Sequence, residues 1–437
     1  MNVSSWLRRA ACLRPDRTAI ETPQGSLTYA ALLRACCDHA PALRAGERVA
    51  IELPSGLEFA VALHACMEAG SVAVPVDRRL APGERARVLE GCERRWGAVA
   101  AAVAGDPETA AAPPAASADR GRPTAGPGLD APCAVLHTSG TSGAPKAVPL
   151  TYGNLLWSAL GSATAIGLDP GERWLSTLPV AHVGGLSVLL RSAIYGTTAV
   201  LHERWDTAQV LEALRGDSIT VVSLVPTMLA RLLDAGLSRP PSLRCALLGG
   251  APLPPALLAR ARDAGVPVSQ SYGLTEASSQ VTTQPLGDGG EDSGAPLFCT
   301  RVELAADREI IISGPTVAAG GGPWATGDLG WIDDGGRLHV VGRKSEMIVS
   351  GGENVAPAEV EAVLLEHPGV LEAAVLGRAD PEWGEAVCAV IVGSAKADEL
   401  HAHCAQQLAA FKIPKQFSYV ESLPRTSSGK LLRRELV

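Results

Sequence analysis

The chain lacks the cysteine spacing of a zinc site or of a small disulfide framework. Its ten cysteines are scattered, Cys36 and Cys37 are adjacent, and no C-x-x-C pair occurs. Zinc sites and small secreted domains both depend on regularly spaced cysteines. This usage therefore favours a reduced cytoplasmic setting, in which most thiols pack as small apolar side chains.

Long apolar runs and a surplus of positive charge are also missing. No apolar segment approaches the roughly 20 residues that span a bilayer, and residues 1–17 lack the uninterrupted apolar core of a signal peptide. The formal net charge of −8 argues against nonspecific nucleic-acid binding, which depends on basic side chains that neutralise phosphates. We expect a cytoplasmic protein with no nucleic-acid partner and no membrane association.

The length of 437 residues predicts two or three domains. The Ala/Pro/Gly-rich stretch 97–132 is typical of a loosely structured connection. After a short strand at 133–137, apolar strands (219–225 and 243–248) precede helices (226–236 and 254–264). Strands without polar alternation, separated by helices, indicate a largely parallel sheet covered on both faces.

The pattern changes near residue 329. The segment 329–341 is typical of a β-hairpin with an Asp-Gly type of turn, and Asp328 lies in a Gly-Asp turn just before it. A helix opened by Pro357, strands at 370–376 and 386–392, a helix at 398–410 and a strand at 416–420 form a small α+β unit. We predict an α/β fold with a large N-terminal domain, 1–342, of layered sheets, and a small C-terminal domain, 343–437.

The segment 137–146, HTSGTSGAPK, has the composition of a phosphate-binding loop. It combines hydroxyl donors, glycines that let backbone N–H groups approach an anion, and a cation, in Thr138, Ser139, Gly140, Thr141, Ser142, Gly143 and Lys146. A nucleoside triphosphate is the ligand that this combination favours.

Three other site types fail on spacing. A Walker A loop needs Gly-Lys-Ser/Thr, whereas Lys146 follows Pro145 and precedes Ala147. A nucleophile elbow needs G-x-S-x-G, and Gly140 to Gly143 reads G-T-S-G. No G-x-G-x-x-G fingerprint follows a strand. The P-loop NTPase, serine hydrolase and dehydrogenase interpretations are therefore weakened.

Five segments together resemble the acyl-adenylate-forming superfamily of acyl- and aryl-CoA ligases, adenylation domains and luciferases. They occur in that superfamily's order, and the segments LRPDRTAI and LTYAAL near the N-terminus are also similar: 137–146, 270–276 (QSYGLTE), 326–332 (TGDLGWI), 342–354 (GRKSEMIVSGGEN) and 424–430 (PRTSSGK). The resemblance implies the adenylate-forming fold with a mobile C-terminal domain. It also implies the use of ATP, Mg²⁺ and coenzyme A to activate a small carboxylic acid.

The resemblance further implies a role for individual residues around the nucleotide. Tyr272 would stack on adenine with Gln270 at the base edge, and Asp328 and Arg343 would bind the ribose. Thr275 would contact the α-phosphate, and Glu276, with Thr141, would hold Mg²⁺. Gly249 would line the nucleotide site.

The C-terminal unit would supply the groups for each half of the reaction. Lys430 would stabilise the negative charge that develops when the acid attacks the α-phosphate. The domain would then turn about a hinge near Lys344–Ser345, and Gly351 and Gly352 would line the path of the pantetheine arm.

The segment 178–196 resembles the o-succinylbenzoate–CoA ligases among these enzymes, as does SGGEN at 350–354. It implies an acid site formed by His182, Gly185 and Arg191. Arg191 interrupts an apolar run, 186–194, where a guanidinium needs an anionic partner, and the family's use for it is the second carboxylate of the substrate. Gly184, Ala147 and Ala356 depart from the residues usual in these ligases, and Gly184 bears on the choice of acid.

Three alternatives stay open on sequence: a ligase for another aryl or acyl acid, a stand-alone adenylation enzyme that loads a carrier protein, and a non-catalytic nucleotide-binding relative. The presence of Lys430, Glu276 and Asp328 argues against the last. We expect a homodimer as the assembly.

Overall fold

Apolar runs along the chain form short strands that are buried on both faces. The computed structural model describes residues 6–96, 127–139, 145–216, 218–318, 320–425 and 431–436, without the side chains of Pro41, Ser139 and Arg434. All four residues are buried in both Val221–Leu224 and Cys245–Leu248. Proline opens the helices that follow, Pro226–Asp234 and Pro255–Asp263, because its missing N–H costs nothing in a first helical turn. The strand–helix alternation predicted for this region is confirmed.

The helices and strands of the described residues are numbered here in chain order. The helices are α1 Trp6–Leu13, α2 Tyr29–His39, α3 Leu57–Ala69, α4 Pro82–Leu89, α5 Tyr152–Ile166, α6 Val183–Tyr195, α7 Thr207–Gly216, α8 Pro226–Asp234, α9 Pro255–Asp263, α10 Pro357–Leu365 and α11 Ala397–Gln407. The strands are β1 Thr18–Thr22, β2 Gly25–Thr28, β3 Arg48–Ile51, β4 Val72–Pro75, β5 Arg94–Trp96, β6 Pro132–Ser139, β7 Pro145–Thr151, β8 Arg173–Ser176, β9 Thr198–Leu201, β10 Val221–Leu224, β11 Cys245–Leu248, β12 Val268–Leu274, β13 Ser279–Thr283, β14 Ala295–Pro296, β15 Arg301–Leu304, β16 Glu309–Ser313, β17 Trp324–Ile332, β18 Leu338–Arg343, β19 Ile348–Ser350, β20 Glu353–Val355, β21 Val370–Asp380, β22 Gly384–Gly393 and β23 Gln416–Tyr419.

Two mainly parallel sheets form the large domain. The first has the strand order β14-β13-β12-β11-β10-β8-β9-β1-β2 and is parallel from β12 through β1, with antiparallel strands at its edges. The second has the order β5-β3-β4-β6-β7 and ends in the antiparallel hairpin of β6 and β7. The largely parallel arrangement predicted from the sequence is confirmed.

A four-stranded antiparallel sheet, β15-β16-β17-β18, follows them. The predicted hairpin is present, but the placement of Asp328 in a turn before it was wrong. β17 already begins at Trp324, and Asp328 pairs with Arg343 across the ladder. Gly327, with φ of +75°, bends the strand directly before Asp328, and this local bend gives the sequence its turn-like character.

The last sheet has the order β20-β19-β22-β21, with β23 pairing to β22, and α10 and α11 accompany it. Both strands predicted near 370 and 386 are present and longer than predicted. The end of the predicted helix 398–410 was wrong: α11 stops at Gln407, and a separate turn covers Ala410–Lys412. The last sheet and its two helices enclose a buried apolar cluster of their own, which includes Val360, Val375 and Ile391.

The passage between the two parts of the chain is short. β18 ends at Arg343, a single 3₁₀ turn covers Lys344–Glu346, and the new sheet begins at Ile348. The domain boundary at 342/343 and the mobility of the second domain stay predictions. Residues 97–126 of the Ala/Pro-rich stretch lie outside the described residues, and β6 begins at Pro132, one residue earlier than predicted.

Most cysteines pack as predicted. Those buried are Cys36, Cys66, Cys133, Cys245, Cys299, Cys388 and Cys404. None of the helices in the described part of the chain combines the length and the apolar character needed to cross a bilayer.

Candidate active site

The proposed phosphate loop connects two antiparallel strands. Thr138 at the end of β6 pairs with Lys146 in β7. Gly140, Thr141, Ser142 and Gly143 lie outside the described residues, as does the side chain of Ser139, so their contacts with phosphate stay predictions. The Lys146 Nζ atom lies 4.7 Å from the ring centroid of Trp324, within cation–π range. Sequence reasoning missed Trp324, although it stands two residues before the T-G-D motif.

Three residues predicted to surround the nucleotide's base and ribose do come together. The Tyr272 hydroxyl donates to Oδ2 of Asp328 at 2.7 Å, and Nε of Arg343 lies 2.8 Å from Oδ1. The Asp328 side chain is only 8% exposed. Burial and the neighbouring carboxylate raise the pKa of Tyr272, so the phenol stays a neutral donor. The Asp328 carboxylate is therefore held in a fixed orientation by the protein itself.

A second carboxylate connects this cluster to the predicted hinge. Glu309 accepts the backbone N–H of Gly327 at 3.0 Å, and its other oxygen lies 2.9 Å from Nζ of Lys344. Asp307 binds the same ammonium at 2.6 Å. Hydrogen bonds from Lys344 lower the pKa of both carboxyls. No sequence pattern pointed to Glu309, because a single glutamate opening a strand has no distinctive spacing.

Of the remaining nucleotide candidates, one follows β11, one lies within β12 and two follow β12. Gly249 follows β11, and its N–H donates to the Leu224 carbonyl at 3.2 Å. Gln270 is buried, and its Nε2 donates to the Gly290 carbonyl at 2.7 Å, so its contact with adenine stays a prediction. Thr275 and Glu276 form a 3₁₀ turn directly after β12.

A glycine makes that turn possible. A Cβ atom on Gly273 would lie 1.9 Å from the carbonyl oxygen of Ser279 as the chain folds back into β13. Only glycine fits such an approach. The Y-G-L-T-E segment therefore projects Thr275 and Glu276 from a tightly folded loop.

Glu276 is the described candidate for a metal ligand. The described residues contain no group of three or more His, Cys, Asp or Glu side chains placed to hold a metal ion. A single carboxylate fits Mg²⁺ that takes most of its oxygen ligands from phosphates and water. The other predicted ligand, Thr141, lies outside the described residues.

Arg191 is a buried cation without a carboxylate partner in the described part of the chain. It lies on α6 and is 3% exposed, with Nη2 donating to Ser158 Oγ at 3.1 Å. Its guanidinium carbon lies 5.6 Å from the ring centroid of Trp174, and Nε has no hydrogen-bond partner among the described residues. Burial lowers the pKa of Arg191. An unpaired buried charge costs several kcal/mol, so this site favours an anionic ligand.

A hydrogen-bonded path joins Arg191 to the T-E turn. Ser158 on α5 donates to the carbonyl of Ser278 at 2.7 Å, two residues after Glu276. Sequence reasoning missed Ser158, since nothing distinguishes it within an apolar helix. The path connects the proposed acid end of the site to the proposed phosphate end.

His182 and Gly185 lie at the start of α6, nine and six residues before Arg191, or about two turns of helix. Nε2 of His182 lies 3.5 Å from Oδ2 of Asp77. A Cβ on Gly185 would lie 2.5 Å from the carbonyl oxygens of both Leu178 and Pro179. Gly185 is thus required by packing, and its contact with substrate stays a prediction.

The groups assigned to the second half-reaction lie on the small domain. Gly351 and Gly352 form the turn between β19 and β20, with φ of +62° and +85°. Gly351 donates its N–H to the Trp383 carbonyl at 2.8 Å, and a Cβ on it would lie 3.0 Å from the Trp383 ring. Lys430 lies outside the described residues, so its position stays a prediction.

The chain belongs to the AMP-binding enzyme family. The model of the AMP-binding enzyme matches residues 7–320, and the model of the AMP-binding enzyme C-terminal domain matches residues 359–430. The fold is the adenylate-forming fold expected from the five segments.

Relatives of known name match over the full length. The chain is 37% identical to a 2-succinylbenzoate–CoA ligase of Bacillus licheniformis, with 100% of both chains covered. It is similar to o-succinylbenzoate CoA synthetase from Bacillus subtilis in complex with the acyl-adenylate intermediate OSB-AMP, with a TM-score of 0.88 and 36% identity over 99% of this chain and 97% of that one. Against an I454R/A456K double mutant of that synthetase bound with the product analogue OSB-NCoA, the TM-score is 0.71 at the same identity and coverage.

Proposed function

We propose that this protein is an AMP-forming acid–CoA ligase that converts 2-succinylbenzoate to 2-succinylbenzoyl-CoA. The observation that carries the substrate assignment is Arg191, a buried guanidinium with no carboxylate beside it in the described residues. A substrate with two carboxylates can place one on Arg191 while the other reacts. Relatives named 2-succinylbenzoate–CoA ligases, matching over the whole chain, support the same acid.

In the first half-reaction, the reacting carboxylate of the acid attacks the α-phosphorus of ATP. The bond from that phosphorus to the bridging oxygen breaks, pyrophosphate leaves, and the acyl-adenylate remains. Asp328, held by Tyr272 and Arg343, would bind the ribose hydroxyls. Lys430 would stabilise the charge that develops between the two anionic reactants.

The phosphates need further positive charge and fixed hydrogen-bond donors. Mg²⁺, when bound, neutralises phosphate charge, with Glu276 as one oxygen ligand and Thr141 as a second candidate. Lys146, close to the Trp324 ring, would move onto the β- or γ-phosphate when ATP binds. Thr275 would donate its hydroxyl to the α-phosphate.

In the second half-reaction, the thiol of coenzyme A attacks the acyl carbon. The acyl–oxygen bond to AMP breaks, the thiol proton passes to solvent or a base, and AMP leaves. Gly351 and Gly352 would then line the pantetheine path beside Trp383. The fall in TM-score from 0.88 to 0.71 between two complexes of one synthetase, at equal coverage, supports a change of domain arrangement between the half-reactions.

The test is a panel of acids, each incubated with ATP, Mg²⁺ and either coenzyme A or phosphopantetheinyl carrier proteins. We expect pyrophosphate release to be fastest with 2-succinylbenzoate, and the thioester to form on coenzyme A. Equal rates with simple benzoates would favour a ligase for another acid. Transfer only to a carrier protein would favour a stand-alone adenylation enzyme, and the absence of pyrophosphate with every acid would favour a non-catalytic relative. Cytoplasmic location and a homodimeric assembly stay predictions.

A further inference from the structure

The chain on either side of segment 426–430 is anchored to the small domain. Arg425 and Leu431 form an antiparallel β-bridge, and the N–H of Leu432 donates to the Pro424 carbonyl at 2.9 Å. Leu431 and Leu436 pack against a buried apolar cluster on the β21–β22 sheet. The residue that follows Lys430 is therefore bridged to Arg425 and packed on the sheet of the small domain.

Arg433 makes the polar part of this anchor. Its Nη2 donates to Glu361 Oε1 at 2.5 Å, and its Nε donates to the Val375 carbonyl at 3.1 Å. Glu361 in turn accepts the N–H of the same residue, Val375, at 2.7 Å. Because β21 is an edge strand, both backbone groups of Val375 would otherwise lack ladder partners, and the Arg433–Glu361 pair satisfies both.

The pair is buried enough to hold its geometry. The side chains are 19% and 16% exposed. Burial raises the pKa of Glu361, and the Arg433 charge opposes that rise. A carboxylate in this position needs its guanidinium partner, and a pair fixed at both ends by one backbone residue has little freedom to shift.

A third contact reaches the predicted hinge. Nη1 of Arg433 lies 3.3 Å from Oε2 of Glu346, which closes the turn Lys344–Glu346. The same turn is bound on its other side by Asp307 and Glu309 of the large domain. Arg433 thus connects the C-terminal tail to the turn between the two domains.

We propose that Arg433 and Glu361 are positioning residues for Lys430, required for adenylation and not for thioester formation. The proposal rests on the function given above. Three residues of chain span at most about 10 Å, so fixing Arg433 confines where Lys430 can be presented. Loss of the pair frees the chain after Lys430 without touching the nucleotide, acid or coenzyme A contacts.

The test compares Arg433→Gln and Glu361→Gln with Glu359→Gln. Glu359 is exposed on the same helix and pairs with Lys412, so it is a matched control. We expect Arg433→Gln and Glu361→Gln to slow acid-dependent pyrophosphate exchange about 10- to 100-fold through kcat, with KM for ATP and acid unchanged. Thioester formation from presynthesised acyl-adenylate and coenzyme A should stay within about twofold of the unmodified protein. Arg433→Lys should recover part of the exchange rate.

A purely structural role predicts a different pattern. If both half-reactions fall together and the melting temperature falls with them, the positioning role is wrong. The positioning role is also wrong if Glu359→Gln slows exchange as much as Arg433→Gln and Glu361→Gln do, or if neither of those two variants changes the exchange rate. Trypsin cleavage after Lys430, followed by mass spectrometry, reports on the anchor independently of enzyme activity. We expect faster cleavage in Arg433→Gln and Glu361→Gln than in the unmodified protein. Absence of pyrophosphate exchange in the unmodified protein would instead contradict the proposed function, with the cleavage result still deciding the anchor.

Discussion

The two ends of the candidate site differ in how their charges are balanced. At the proposed ribose end, Asp328 is bound by Tyr272 and Arg343, so its charge is paired within the protein. At the proposed acid end, Arg191 is bound by one serine hydroxyl and an aromatic face, and it forms no ion pair in the described part of the chain. The first arrangement orients a group in advance. The second leaves a charge that only a ligand can balance.

This difference suggests how the protein distributes binding and stability. A paired carboxylate supports the fold and presents an oriented acceptor to any nucleotide. An unpaired buried guanidinium costs folding free energy and recovers it only when an anion binds. Substitutions at the two ends should therefore change the free energy of unfolding in opposite directions. Each substitution should also weaken binding of the ligand at its own end.

The largest effect is expected where the ends meet, at the reacting carboxylate and the α-phosphate. Lys430→Ala should reduce acid-dependent pyrophosphate exchange by about 10²- to 10³-fold, as expected when one preorganised donor of about 2.7–4 kcal/mol is lost. Thioester formation from preformed adenylate should be nearly intact. Rapid-quench assays of each half-reaction measure both rates. An equal loss of rate in both half-reactions would contradict a role of Lys430 in adenylation alone.

Next in size is the paired end. Asp328→Asn removes a charge-assisted contact of about 1.5–3 kcal/mol to the ribose hydroxyls, so KM for ATP should rise about 10- to 100-fold. It also leaves Arg343 with a weaker partner, and denaturant unfolding should show a lower free energy of unfolding. Asp334→Asn, on an exposed turn of the same hairpin, is the control. A variant that binds ATP normally would remove Asp328 from the site.

The smallest effect, and the one of opposite sign, concerns the unpaired end without ligand. Arg191→Leu removes a buried charge and fills similar space with apolar atoms, so the free energy of unfolding should be unchanged or rise by about 1 kcal/mol. Urea unfolding of the ligand-free protein measures this change. A loss of several kcal/mol would show that Arg191 is already paired in the ligand-free protein and would end the contrast between the two ends.

The sequence predicted which residues to compare better than it predicted their secondary structure and their contacts. The motifs singled out Tyr272, Asp328 and Arg343, and the structure brings these three side chains into contact. Asp328 was nevertheless placed in a turn, since a glycine bend inside a strand has the same local composition as a loop. The partners Ser158, Trp324 and Glu309 were missed, because each contacts the site across elements that are distant in sequence.

For the fold as well, some features were predicted from the sequence and others were not. Buried strands such as β10 and β11 were predicted, since an apolar run ended by proline, as in β10, or by two glycines, as in β11, allows few other structures. The end of α11 was misplaced by three residues, because residues 408–410 carry no strong helix-stopping signal. That no described carboxylate lies beside Arg191 could not be predicted, as it depends on which side chains three separate elements bring together.

The decisive measurement of the role of Arg191 is the ratio of kcat/KM for 2-succinylbenzoate to that for benzoate, taken for the unmodified protein, Arg191→Leu and Arg191→Lys. Loss of a charge-assisted contact should lower this ratio by about 10- to 100-fold in Arg191→Leu, with part of it restored in Arg191→Lys. Activity on benzoate should change little. An unchanged ratio would contradict the claim that the buried guanidinium binds the second carboxylate of the substrate.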